Sequence, residues 1–169
     1  ALVGTGAQSR TDLARAGGQL VAKYQRPGVV SLAVDMGLGA LGGNREGASQ
    51  FLFGATLRSW AHDHYRTKLP AKQKVSLGEI GVVNGPAGLG AVWTDQAAIA
   101  EGVAFTRDLV TEPANVIYPE SFVERCRHLE SLGVEITVLG QEEMAKLGMG
   151  ALLGVAQGSV RPPRLIAMR

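Results

Sequence analysis

Cysteine is almost missing from this sequence: Cys126 stands alone among 169 residues, so no internal disulfide can form. A thiol on the apolar stripe of an expected helix reads as a small buried hydrophobe in a reducing compartment. Charge of either sign is sparse, with 17 basic and 15 acidic residues giving a net charge of +2. So small an imbalance gives no general attraction to nucleic acid or to a membrane surface. No run approaches the ~20 apolar residues of a membrane span, and the N-terminus lacks the layout of a signal peptide. A cytoplasmic location is expected. What the chain has in excess is glycine, 23 residues, beside an apolar content of 46%. That combination excludes a disordered chain and suits an α/β protein with many tight corners.

Periodicity divides the chain into alternating elements. Ala1 to Gly6 reads as a core strand running into a turn. Ser9 and Asp12 offer a capping-box start to a helix whose face carries Leu13, Gly17, Leu20 and Tyr24, and Pro27-Gly28 stops it. Val29 to Asp35 reads as a buried strand, and Gly37 to Gly43 as a loop. A longer helix is expected from Glu46 to His64, with Phe53, Leu57, Trp60 and His64 on one stripe. Residues 66–76 are polar and basic, broken at Pro70, before a short strand at Glu79–Val83. A helix over 95–110 ends at Glu112-Pro113, because the residue before proline avoids helical geometry. Pro119 opens the next helix, Phe122, Cys126 and Leu129 mark its buried face, and Gly133 caps it. Val134–Leu139 alternates as a half-buried strand, Gln141–Leu147 is a short helix, 149–157 is ambiguous, and 164–168 is a strand.

Strands alternating with helices predict a mainly parallel sheet covered on both faces. The expected domains are a partial N-terminal α/β module over 1–94, a connecting helix over 95–112, and the beginning of a second domain over 113–169. The last stretch lies at the margin of independent folding (~60 residues). With both ends falling in apparent strands, the chain is expected to be an internal fragment of a longer protein.

Gly37-x-Gly39-x-x-Gly42 matches the dinucleotide fingerprint, but Gly43-Asn44-Arg45 separates it from the next helix and no acidic residue follows at the required distance. A loop is the preferred reading. His62-Asp63-His64 invites a metal, yet on a helix residues two apart face different ways, so a solvated or capping role is preferred. Arg58, Arg66, Lys68, Lys72 and Lys74, interleaved with Trp60 and Tyr65, could form a nucleic-acid surface, and a solvated loop is preferred. Arg107, Asp108 and Glu112 cluster near the end of the connecting helix; such carboxylates could bind a metal, and pairing of Arg107 with Glu112 or Asp108 in a hinge is preferred. Ser159 lacks a nucleophile elbow and any histidine nearby in sequence.

Two stretches carry a resemblance. Thr106-Arg-Asp-Leu-Val-Thr-Glu-Pro-Ala-Asn-Val116 with Tyr118-Pro-Glu-Ser-Phe122 resembles the junction between the two domains of leucyl aminopeptidases, the cytosol aminopeptidase family. Leu132–Leu139, followed by Glu143–Ser159 and Arg161-Pro-Pro-Arg164, is similar to the opening of that family's catalytic domain. Tyr65-Arg-Thr-Lys68 resembles part of its N-terminal domain. Ala156, where glycine is commoner, and the loop at 37–43 depart from the pattern.

The resemblance implies an N-terminal αβα three-layer, macro-domain-like module, a connecting helix and the start of a second αβα peptidase domain. It implies a parent hydrolase that removes N-terminal residues from peptides, assembles as a hexamer and holds two divalent cations, zinc, manganese or magnesium. Two adjacent metals can polarise a scissile carbonyl and supply hydroxide at neutral pH. The family's ligand motifs follow the last strand seen here. No catalytic, cofactor-binding or metal-binding residue is therefore assigned; Asp35, Asp63, Asp95 and Asp108 are not matches. The segment alone is expected to be inactive and to bind no catalytic metal. The alternatives are an ADP-ribose or nucleotide-binding macro-like module and a nucleic-acid surface at 58–74.

Overall fold

The computed structural model describes residues 2–26 and 28–169. The chain divides into two compact units, Ala1–Asp108 and Leu109–Arg169.

In the first unit, α1 (Arg10–Tyr24) begins where the Ser9 hydroxyl accepts the Asp12 amide, as the spacing predicts. The expected stop at Pro27 lies outside the described residues; the helix closes at Gln25, whose N–H bonds to Val21. Strand β1 (Ser31–Asp35) pairs in parallel with β2 (Glu79–Val83), with Ser31 opposite Glu79 and Asp35 opposite Val83. Between them runs α2 (Arg45–Ser59), capped by the Asn44 side chain, which accepts from the Gly47 amide. Helices α1 and α2 cross closely and cover β1, so that Leu13, Leu20, Met36, Leu41, Ala48 and Phe51 form one core. A smaller cluster joins Val21, Ala55 and Leu77.

The crossing explains two of the many glycines. A Cβ at Gly17 would overlap the Phe51 carbonyl, and one at Gly54 would overlap the Ala14 carbonyl. Backbones this close leave no room for a side chain. Beside the crossing, Gln25 is buried and ties three segments. Its Nε2 donates to Ser59 O at 2.8 Å, its Oε1 accepts from Arg58 at 3.2 Å, and its carbonyl accepts from the Ser76 amide at 2.9 Å. No periodicity singles this glutamine out.

Several expectations fail here. Residues 2–5 are irregular and Leu2 is fully exposed; apolar composition does not make a strand without a neighbour for its backbone groups. Helix α2 stops at Ser59 rather than at His64, and Trp60 has extended geometry (φ −56°, ψ 133°). Its buried face is also different: Ala48, Phe51, Gly54 and Ala55, the small residues that permit the crossing, and not the stripe of Phe53, Leu57 and Trp60. The helix expected over 95–110 is longer: α3 spans Leu89–Thr111.

The second unit contains α4 (Pro119–Cys126), β3 (Ile136–Leu139), α5 (Gln141–Lys146), α6 (Gly150–Ala156) and β4 (Leu165–Met168). Proline starts α4, and Gly133 adopts a left-handed φ of 90° where the following 3₁₀ segment ends. The buried face of α4 is Val123 and Cys126, whereas Phe122 is exposed. Strands β3 and β4 are antiparallel, Ile136 opposite Met168 and Leu139 opposite Leu165, against the expected parallel sheet. The two connections differ: β1 and β2 are joined through the long helix α2, as a parallel crossover requires, whereas β3 and β4 are joined through two short helices, α5 and α6. Both units are mixed α/β; among the described residues each sheet has two strands.

Candidate functional site

The early end of α2 brings the histidines together. With residues 60–63 non-helical, His62 and His64 present rings whose centroids lie 4.1 Å apart, in an edge-to-face arrangement. The expectation that these imidazoles diverge rested on a helix that is absent here. Tyr65 closes the cluster, 4.2 Å from the His64 ring. Behind His62, the Asp108 carboxylate lies 3.9 Å from Nδ1 and accepts the Trp60 indole N–H at 2.8 Å. Arg107 donates to Leu57 O at 2.5 Å and sets its guanidinium 5.7 Å from the Trp60 ring. Asp63 is held between Arg26 (3.8 Å) and Arg66 (3.9 Å).

Of the three residues expected to pair in a hinge, Arg107 donates to a carbonyl and Asp108 accepts an indole N–H. In the second unit, buried Glu112 pairs with Arg125 at 3.0 Å. The glycine loop also folds on itself. The Gly37 amide and the Asn84 side chain both donate to Asp35, at 2.9 and 3.1 Å. Those two donors, Gly37 first, hold the Asp35 carboxyl below its ordinary range. The Gly42 amide bonds to Gly39 O, and Asn44 already caps α2, so the helix start is closed by its own side chain.

In the basic stretch, Arg58 is bound to Gln25 and Arg66 to Asp63, while Lys68, Lys72 and Lys74 are exposed. Ser159 Oγ accepts the Arg161 amide at 3.0 Å in an exposed turn. His128 Nδ1 lies 2.9 Å from Arg125 O. Cys126 is buried, and desolvation pushes its thiol pKa up.

Tertiary structure joins two stretches that lie more than 40 residues apart in sequence. Arg161 lies over the Tyr118 ring at 3.9 Å, and Arg164 approaches Glu120 at 3.8 Å. The Arg-Pro-Pro-Arg segment thus clamps the start of α4. Two open clefts accompany these features. One of about 450 Å³ in the first unit is lined by Leu52, Thr56, Ile80, Val82, Leu89 and Trp93. The other, about 460 Å³ in the second unit, is lined by Tyr118, Phe122, Arg164 and Ile166 among others.

A two-cation hydrolytic centre needs several carboxylates converging on one point. Among the described residues no three carboxylates do so. Asp12 is taken by Ser9, Asp35 by Gly37 and Asn84, Asp63 by arginines, and Asp108 by Trp60. Among the described residues, these carboxylates do not converge into such a centre.

Comparison with known proteins supplies the relationship. Residues 104–169 match the model of the cytosol aminopeptidase family, catalytic domain. The chain is 43% identical over 143 residues to a "Probable cytosol aminopeptidase" of Caulobacter vibrioides, covering 84% of this chain and 28% of that protein. It is 42% identical over 165 residues to a protein of the same description from Rhizobium johnstonii, covering 94% and 32%. Among solved structures, the bottromycin maturation enzyme BotP in complex with Mn superposes with a TM-score of 0.81 at 26% identity, over 98% of this chain and 35% of that one. A tomato leucine aminopeptidase variant shares the fold, with a TM-score of 0.83 at 23% identity over 98% and 34%. The chain thus spans about a third of the length of the relatives it matches. Sequence identity across most of its residues, together with the family-model match at 104–169, shows that the chain belongs to the cytosol aminopeptidase family.

Proposed function

We propose that this chain is the scaffold portion of a two-metal leucyl aminopeptidase that removes N-terminal residues from peptides. The observation that carries the reading is the match of residues 104–169 to the family's catalytic domain, backed by 42% identity across 94% of the chain. In this reading residues 1–94 belong to an N-terminal αβα module, 95–112 form the connecting helix, and 113–169 open the peptidase domain. The parent protein works in the cytoplasm on peptide substrates, as a hexamer. Its two divalent cations are held by residues outside this chain; a manganese-bound structural neighbour supports manganese as one of them. What this chain contributes is placement. The Arg161–Tyr118 and Arg164–Glu120 contacts fix β4 and α4, on which the remainder of a catalytic sheet would build.

The test uses a leucyl chromogenic amide and manganese. The 169-residue chain alone should show no turnover above a protein-free blank. The same chain joined to the remaining C-terminal portion of the Rhizobium johnstonii relative should hydrolyse the amide. Turnover by the chain alone would refute the scaffold role, and a folded but inactive chimera would refute the peptidase assignment. The relatives named above also favour this reading over an ADP-ribose module, for which calorimetry should register no heat.

A further inference from the structure

His62 and His64 are two residues apart where the chain leaves α2: residues 60–63 are irregular, and His64 and Tyr65 sit in a turn in which the Arg66 N–H donates to Asp63 O at 2.9 Å. Across this turn the His62 and His64 ring centroids lie 4.1 Å apart, with ligand nitrogens within 4.8 Å of one another. Asp63, between them, is drawn off by Arg26 and Arg66, which anchors the backbone from which both imidazoles hang.

The surroundings are those of a supported ligand pair. The His62 side chain is only 8% exposed, so its ring has little rotational freedom. The Asp108 carboxylate faces His62 Nδ1 at 3.9 Å and is itself fixed by the Trp60 indole at 2.8 Å. A carboxylate facing one nitrogen of a histidine favours one orientation of the ring and so helps to position it for a metal. His64 is exposed, which leaves solvent access for water in the remaining coordination positions.

We propose that His62 and His64 form a two-imidazole binding site for a first-row transition metal, with Asp108 as the positioning residue behind His62. Imidazole nitrogen selects zinc, copper or nickel over magnesium and calcium, which prefer oxygen ligands. Coordination takes one nitrogen of each ring and releases any proton that nitrogen carries. Nothing in this inference depends on the peptidase reading.

Calorimetric titration of the 169-residue chain with zinc chloride, in buffer free of chelators, tests the site. One zinc per chain is expected, with magnesium giving no heat. His64→Ala alters an exposed ring and should leave the fold intact by circular dichroism while weakening zinc binding at least tenfold. Asp108→Asn should weaken it about tenfold, the lower end of the effect of removing an outer-shell partner. In wild type the ring protons of both histidines should shift together in the NMR spectrum as zinc is added. Absence of zinc binding by the wild-type chain would overturn the site. So would zinc binding that His64→Ala leaves unchanged, since the metal would then sit elsewhere.

Discussion

Gly54→Ala is the sharpest test of how the first unit is built. In an isolated helix the change would stabilise by about 1 kcal/mol, because alanine loses less backbone entropy than glycine. Here the added methyl would lie 2.6 Å from Ala14 Cα and closer still to that residue's carbonyl. Favourable carbon contacts begin at about 3.5 Å, so α1 and α2 must separate by roughly 1 Å along their shared face. The obstacle is backbone, which cannot rotate away as a side chain would. Overpacking of this kind costs about 3 kcal/mol, the upper end of the usual range. The net expectation is a destabilisation of about 2 kcal/mol, the helix preference offsetting part of the clash. Urea unfolding, followed by helical circular dichroism, should show the midpoint falling by about 1 M. Gly102→Ala is the control. That glycine lies within α3 with nothing near the position of its absent Cβ, and the change should stabilise by about 0.5–1 kcal/mol. If Gly54→Ala proved as stable as wild type while Gly102→Ala behaved as expected, the close crossing would be wrong.

Two further expectations concern the uneven core and the acid response. Among the described residues the second unit fully buries only Val123, Cys126 and Met144 from its apolar side chains, and its sheet has two strands. Two-stranded sheets are marginal alone, so amides of β3 and β4 should exchange at least about tenfold faster than those in the middle of α1 and α2. Hydrogen exchange with mass spectrometry measures this, and uniform protection would count against it. Asp35 has a folded pKa below its unfolded value because Gly37 and Asn84 donate to the carboxylate. Its contribution is present above the unfolded pKa and lost as pH falls through the folded one. Wild type should therefore exceed Asp35→Ala in urea midpoint near neutrality, and the gap should narrow in acid. A gap independent of pH would show that the carboxylate charge is not what matters.

Much of the element order is legible in the residues because the signals are local. Ser9 with Asp12, Pro119 and Gly133 set helix ends through caps and forced dihedrals that need no distant partner. The run Glu79–Val83 needs only its β-branched, apolar composition to be read as a strand. The family resemblance is equally local, resting on contiguous stretches such as Thr106–Val116 and Glu143–Ser159. Where the reading of residues failed, the deciding partner lay elsewhere in the chain. Small residues on α2 face α1, which turned the helix away from its apparent stripe. The helix end at Ser59 is met by Gln25, 34 residues earlier, which accepts no periodic description.

The same division holds for chemistry. That the chain is nearly neutral, single-thiol and α/β, with an aminopeptidase signature, follows from composition and contiguous motifs. That His62 and His64 face each other, that Asp108 stands behind one of them, and that Arg161 covers Tyr118 are decided only by tertiary structure. A side chain's direction depends on the backbone state of its own segment. The end of α2 at Ser59, which frees residues 60–64 from the helix, is met by Gln25 at Ser59 O and by Arg107 at Leu57 O, groups tens of residues away.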